Sequence, residues 1–225
     1  MHTASHTAFI LSLIAPLFSH LNDEDYGYVL QNAAWQHVRE AAGVPGSEQH
    51  EALALPSWEE RSTFQNELLM SGMPFAAMPV ESLYKPWSAL AGNAYGATRG
   101  LYLGDSAQHM KDVYQALAIE VPAAFASMPD HLTLELELLA MFLMAGNEAA
   151  ARDVARDHFD WLGEYDAALV DRAERIARCE DMAPDRQAAL ERGAAFLRAL
   201  VALAGRLVAD VAATATDAHK TRVAV

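Results

Sequence analysis

A single cysteine, Cys179, serves the whole of this 225-residue chain. One thiol cannot build a disulfide framework, and no CxxC pair exists for zinc or redox exchange, so the chain fits a reducing, cytoplasmic setting. Proline and glycine are also scarce, at 9 and 12, which leaves few positions that interrupt a helix. Positive charge is the third shortage: 16 Lys and Arg stand against 30 Asp and Glu, a formal net charge of −14. Such a chain repels phosphate backbones and anionic lipid heads, which argues against nucleic acid and membrane surfaces as partners. It attracts a basic peptide at a range that salt shortens. Long hydrophobic runs are missing too. The apolar stretch 8–18 is shorter than the roughly 20 residues that span a bilayer. No Lys or Arg precedes it and no small-x-small cleavage site follows, so it reads as a buried first helix, not as a secretory signal.

Catalytic signatures are absent as well. The chain contains no GxxxxGK[ST], no GxGxxG after a strand, no GxSxG and no HExxH, and nothing identifies a base for Cys179. The reading is a binding protein, not an enzyme.

What is present is helical. Apolar residues make up 52% of the chain and charged residues 20%, a globular composition long enough for one sizeable core. Ile10, Ile14, Phe18 and Leu21 recur at helical spacing, with a kink expected at Pro16. Asn22 to Asp25 open a second helix whose buried face is expected to include Tyr26, Leu30, Ala33 and His37. Ser57-Trp58-Glu59-Glu60 forms a capping box ahead of Phe64, Leu68 and Leu69. Residues 72–104 carry three prolines and several glycines yet stay apolar and aromatic, which predicts an ordered loop with short helical turns. Asp105 or Ser106 caps the next helix, with Met110, Val113, Tyr114 and Leu117 on one face. Pro129-Asp130 starts a helix carrying Leu132, Leu136, Leu139 and Leu143, apolar around its girth and so expected at the centre of a bundle. Gly146-Asn147 begins a helix through Val154, His158 and Trp161; a short one covers about 166–178; Pro184-Asp185 opens the last. No period-two strand pattern survives. The expectation is an all-α, single-domain helical bundle over 1–213, with a mobile C-terminal tail over 214–225.

Two features invite a site. Asp130 and His131 lie beside Glu135 and Glu137, and His131 and Glu135 share a helix face, so with His158 they could form a metal-dependent hydrolase. The competing reading has Asp130 capping the helix and His131 bonding locally. Met70, Met73 and Met78 crowd the broken loop, and methionine suits surfaces that accept varied apolar partners; gap-filling in the core is the alternative.

Pro79-Val80-Glu81-Ser82-Leu83-Tyr84 and, some 45 residues later, Pro129-Asp130-His131-Leu132-Thr133-Leu134-Glu135-Leu136-Glu137 together resemble the TorD-like family of molybdoenzyme maturation chaperones, which includes the TorD, DmsD and NarJ types. The resemblance extends over roughly 8–210. It departs at 65–72, where Gln65 and Asn66 stand in place of the acid and the tyrosine of an E-Y-x-x-L-F-x-G pattern, and at His158-Phe159-Asp160-Trp161, a shortened H-L-x-x-W pattern. It implies a TorD-like bundle that binds the N-terminal twin-arginine signal of a molybdopterin oxidoreductase and holds it until the cofactor is inserted. The alternative is a NarJ-type factor for a subunit without an export signal. The implied peptide-binding set is Asp130, His131, Glu135, Glu81, Ser82, Tyr84, Leu69 and Met70, with no catalytic residue, no metal ligand, no cofactor and no membrane insertion; a homodimer is left open. Loop-ordering hydrogen bonds are the alternative role for Glu81 and Ser82.

Overall fold

The computed structural model describes residues 3–90 and 92–214. The tail expected from 214 onward lies, beyond Thr214, outside the described residues. Eleven α-helices are present among them: α1 (Ala4–Ile14), α2 (Asp23–Gln31), α3 (Trp35–Ala42), α4 (Glu48–Ala52), α5 (Trp58–Leu68), α6 (Glu81–Tyr84), α7 (Asp105–Ala116), α8 (Leu132–Met144), α9 (Glu148–Asp157), α10 (Leu162–Ala177) and α11 (Pro184–Ala213). Among the described residues the extended pairing is one isolated antiparallel bridge, Val80 with His131. The all-α reading holds.

Two helices organise the rest. α8 buries ten of its thirteen residues and lies against α1 on one side and α9 on the other. This is the position that its all-round apolar surface requires. α11 runs for 30 residues from Pro184, whose fixed φ suits a first helical turn, and packs along α5, α9 and α10. At Gly193 it passes so close to α5 that any added Cβ would overlap the Phe64 side chain.

The entry to the bundle is fastened by a buried arginine. Arg61, on α5, is fully buried. Its guanidinium donates to the Leu17 carbonyl (2.8 Å), to the Ser19 carbonyl and to Gln65 Oε1 (3.0 Å). Gln65 in turn accepts from the Leu21 amide and donates to the Leu21 carbonyl. Burial lowers the Arg61 pKa to about 10, and the Tyr26 and Phe64 rings lie 5.8 and 5.1 Å from its charge, a cation–π arrangement. The departure at Gln65 therefore has a structural job: it closes the 17–21 connection onto α5.

Several expected boundaries move. Pro16 ends the first helix instead of kinking it; α1 stops at Ile14 and a 3₁₀ turn, Ala15–Phe18, follows. The second helix is two helices. Asn32 adopts an extended conformation and its side chain accepts from the Ala34 amide, which resets the helical phase. Tyr26 is buried as expected, but Leu30, Ala33 and His37 face solvent, and Trp35 and Val38 take their place. Asp105 does not cap α7 by side chain; its Oδ2 accepts from Ser88 Oγ and the Ala89 amide and ties down the preceding loop. The capping box at Ser57 and Glu60 forms as read.

Gly193→Ala gains up to about 1 kcal/mol of helix propensity yet overpacks Phe64, a cost of about 1–3 kcal/mol. The expected outcome in urea denaturation is a lower midpoint with an unchanged slope. A raised midpoint would show that the α5–α11 contact yields freely.

Candidate functional site

The two segments 79–82 and 129–132 meet as a clamp. The Ser82 amide donates to Asp130 Oδ2 (2.7 Å), the Glu81 amide donates to the Asp130 carbonyl (3.0 Å), and the Leu132 amide donates to the Pro79 carbonyl (2.9 Å). His131 is the N-cap of α8, its Nδ1 accepting from the Thr133 amide at 3.2 Å. Asp130 is thus not the cap. Its carboxylate reaches across to the other loop, and the cap falls to the next residue. Thr133 Oγ1 donates to the Ala15 carbonyl, anchoring the start of α8 to the first turn.

Behind the clamp lies a buried charge cluster. Glu81 pairs with Lys85 Nζ at 2.6 Å through Oε1 and with His158 Nδ1 at 2.8 Å through Oε2. Lys85 also meets Asp160 at 2.6 Å and donates to the Asp157 carbonyl. His158 stacks on His109, with Nε2 and Nδ1 2.8 Å apart. Glu135 is fully buried, no N–H or hydroxyl donor reaches either of its carboxyl oxygens among the described residues, and its side-chain neighbour within hydrogen-bond reach is the Glu81 carboxyl. Burial, with the neighbouring Glu81 charge adding to it, raises the Glu135 pKa well above the ordinary value and favours the neutral acid. Asp130 is also raised, by burial first, although the Ser82 hydrogen bonds work against this. Burial opposes the Lys85 ammonium, but Glu81 and Asp160 together hold its pKa above the usual value.

Beside the clamp an open groove of ≈ 370 Å³ is lined by Leu69, Met70, Met78, Tyr102 and Met128, with His20 at its edge. The clamp places two of these methionines. The His131 amide donates to the Met128 carbonyl, the Val80 amide to that of Met78, and Tyr84 Oη donates to the same Met78 carbonyl (3.0 Å). The Tyr84 ring stacks on Trp161, 5.3 Å between centroids. A larger depression of ≈ 730 Å³ lies between α4, α10 and α11, floored largely by alanine and glycine; none of the buried unpaired side-chain atoms lines it.

The expected peptide-binding set therefore divides. Leu69 and Met70 line the groove, and Met70 is 42% exposed. Asp130, His131, Glu135, Glu81 and Ser82 are all buried, and Tyr84 braces the loop. In this conformation those buried side chains offer no surface to a peptide; they build the wall behind the groove. Removing the Asp130 carboxylate would strand a buried amide, at about 1–3 kcal/mol, so such variants act on stability before they act on recognition. The metal grouping suggested by sequence also changes: the residues with metal-ligand spacing are Glu81, Glu135 and His158, and His131 is not among them. The helix expected to run through His158 and Trp161 ends at Asp157, and the bend that follows turns His158 inward. Sequence reasoning missed Lys85, His109, Met128 and Tyr102. Only Lys85 carried a local signal, its i+4 spacing from Glu81.

The fold and this clamp define a helical binding protein with no strand-built active site among the described residues. A family model, nitrate reductase delta subunit, matches residues 48–175, more than half of the chain and the whole of the clamp. The chain belongs to that family and is a molybdoenzyme maturation chaperone of the NarJ/TorD type. Comparison with curated proteins and with solved structures gives no significant match. Among the described residues no helix is long and apolar enough to cross a membrane.

Burial lowers the His131 pKa from 6.5 to about 3, so the folded chain refuses a proton that the unfolded chain accepts. The stability this confers is complete above pH 6.5 and is lost as pH falls toward 3, at up to about 1.4 kcal/mol per pH unit. His131→Asn retains a capping acceptor and cannot titrate. Denaturant midpoints measured from pH 7 to pH 4 should fall less steeply in the variant; superimposable profiles would remove His131 from the acid response.

Proposed function

We propose that this chaperone binds the N-terminal segment of a molybdopterin oxidoreductase subunit in the groove formed by Leu69, Met70, Met78, Tyr102 and Met128, and that the segment is a twin-arginine signal. The single observation carrying this reading is that the clamp positions an exposed, methionine-lined groove on a chain of net charge −14. A twin-arginine leader has a basic head and an apolar body. Thioether side chains adapt to a varied apolar body, whose burial contributes roughly 25 cal/mol per Å² before the costs of association. The negative field of the chain, net charge −14, draws the basic head toward the groove at long range. Asp130, His131, Glu81, Ser82 and Glu135 act in binding by holding the groove walls. The work is cytoplasmic and non-catalytic: the client is held while its cofactor is inserted, and no bond of it is broken.

Membership of the nitrate reductase delta subunit family favours a second reading, a NarJ-type factor whose client subunit carries no export signal. One experiment separates the two. A synthetic leader and a copy with both arginines replaced by glutamine are titrated calorimetrically into the full chain, alongside Met70→Glu and Met128→Glu variants. The leader should bind at least about tenfold more tightly than its glutamine copy, and both variants should lose about tenfold or more with helical content unchanged. Equal affinity for the two peptides would favour the second reading. Unchanged affinity in both variants would overturn the groove itself.

A further inference from the structure

The buried cluster behind the clamp has a chemistry that chaperone function does not require. Glu81 on α6, Glu135 on α8 and His158 in the bend after α9 each offer one ligand atom, and these atoms lie within 4.8 Å of one another. All three residues are buried. No N–H or hydroxyl donor reaches either Glu135 oxygen among the described residues, and Asp130 Oδ1 and the Tyr114 hydroxyl, whose residues are buried alongside, are likewise without a partner. Buried carboxyl oxygens without a donor are costly, and a concentration of them beside an imidazole is a donor set looking for a cation.

We propose that Glu81, Glu135 and His158 form a binding site for one divalent transition-metal ion of the zinc class, which cross-links α6, α8 and the 158–161 bend and so stiffens the clamp. This goes beyond the peptide-binding reading and does not rest on it. Two carboxylates and one imidazole match the nitrogen-and-oxygen preference of zinc, whereas magnesium and calcium favour all-oxygen sets. Metal–ligand bonds of about 2.0–2.2 Å in a tetrahedral arrangement space the ligand atoms about 3.4 Å apart. The His158–Glu81 contact of 2.8 Å must therefore open by about 0.6 Å, a side-chain adjustment. His109 supplies the outer support. With the ion on His158 Nδ1, the ring proton resides on Nε2 and is donated to His109 Nδ1, 2.8 Å away, the arrangement that orients ligating histidines. An entry path exists: a surface cavity is lined by Glu81, His158 and His109, with Lys85 and Asp157 at its mouth. The Lys85 ammonium is the competitor, already holding Glu81 Oε1 at 2.6 Å. The rival arrangement needs no ion: a neutral Glu135 donates its proton to Glu81.

The test is calorimetric titration of Zn²⁺ into the chelator-treated full chain, with the thermal midpoint followed in parallel. Glu135→Gln is isosteric with the neutral acid and should fold; His109→Ala alters an exposed residue. The expected result is one Zn²⁺ per chain, a saturable rise in thermal midpoint, affinity at least about tenfold weaker in Glu135→Gln, and about ten- to a hundredfold weaker in His109→Ala. No saturable binding to the wild-type chain would overturn the proposal in favour of the shared proton. Binding of equal strength in Glu135→Gln would overturn it by placing the ion on other histidines.

Discussion

The hydrogen bond from the Ser82 amide to the Asp130 carboxylate, with the backbone pairing on either side of it, is the contact on which the rest of this structure depends. It joins the loop leading into α6 to the loop leading into α8 across 48 residues of chain. Neither loop has a strand or a long helix to stabilise it, and each is held by the other. Because α8 is the apolar centre of the bundle, whatever fixes its first turn also fixes the position of the loop walls relative to the core. The groove methionines inherit that rigidity: Met78 and Met128 immediately precede the two clamp segments, their carbonyls already committed to the clamp amides of Val80 and His131. A soft, adaptable surface is thereby mounted on a rigid frame. That suits recognition of an apolar segment whose sequence varies, because only the side chains need adjust.

Electrostatics sets the second constraint. Glu81, Asp130 and Glu135 occupy one buried region, and Lys85 is the ammonium that reaches it. Repulsion and desolvation are relieved in three ways: Asp130 accepts backbone and loop hydrogen bonds, Glu81 is paired on both oxygens, and Glu135 is pushed toward its neutral form. Removing any one partner returns the cost to the others, so the cluster behaves as a unit. The Tyr84–Trp161 stack and the bend at His158 close its far side. This is why a short, irregular stretch such as 158–161 carries as much of the design as any helix.

Much of this was legible in the residues. The helical periods of α5, α7, α8 and α11, the Ser57 capping box and the ordered but broken character of 72–104 are local properties, and local properties survive into the fold. The break at Asn32 rests on a local bond to the Ala34 amide that the surrounding helical pattern does not single out, and the bend after Asp157 did not show because His158 is turned inward by Glu81, 77 residues away. The site was half legible for the same reason. The paired 79–84 and 129–137 segments do come together, and Met70 and Leu69 line an open groove beside them. Burial cannot be read from identity, however: the expected peptide-binding set includes Asp130 and His131, and both are buried in the joint between the two loops. Met128 and Tyr102 gave no signal, since nothing in their neighbourhood sets them apart from ordinary loop apolar residues.

The claim that the two loops form one rigid joint is tested most directly by native-state hydrogen exchange at single-residue resolution. The amides of Glu81, Ser82 and Leu132 should exchange only with global unfolding, at the same free energy as the core amides of α8. Exchange of these three amides at the rates of the exposed 93–100 loop would mean that the joint opens on its own, and the frame described here would not exist.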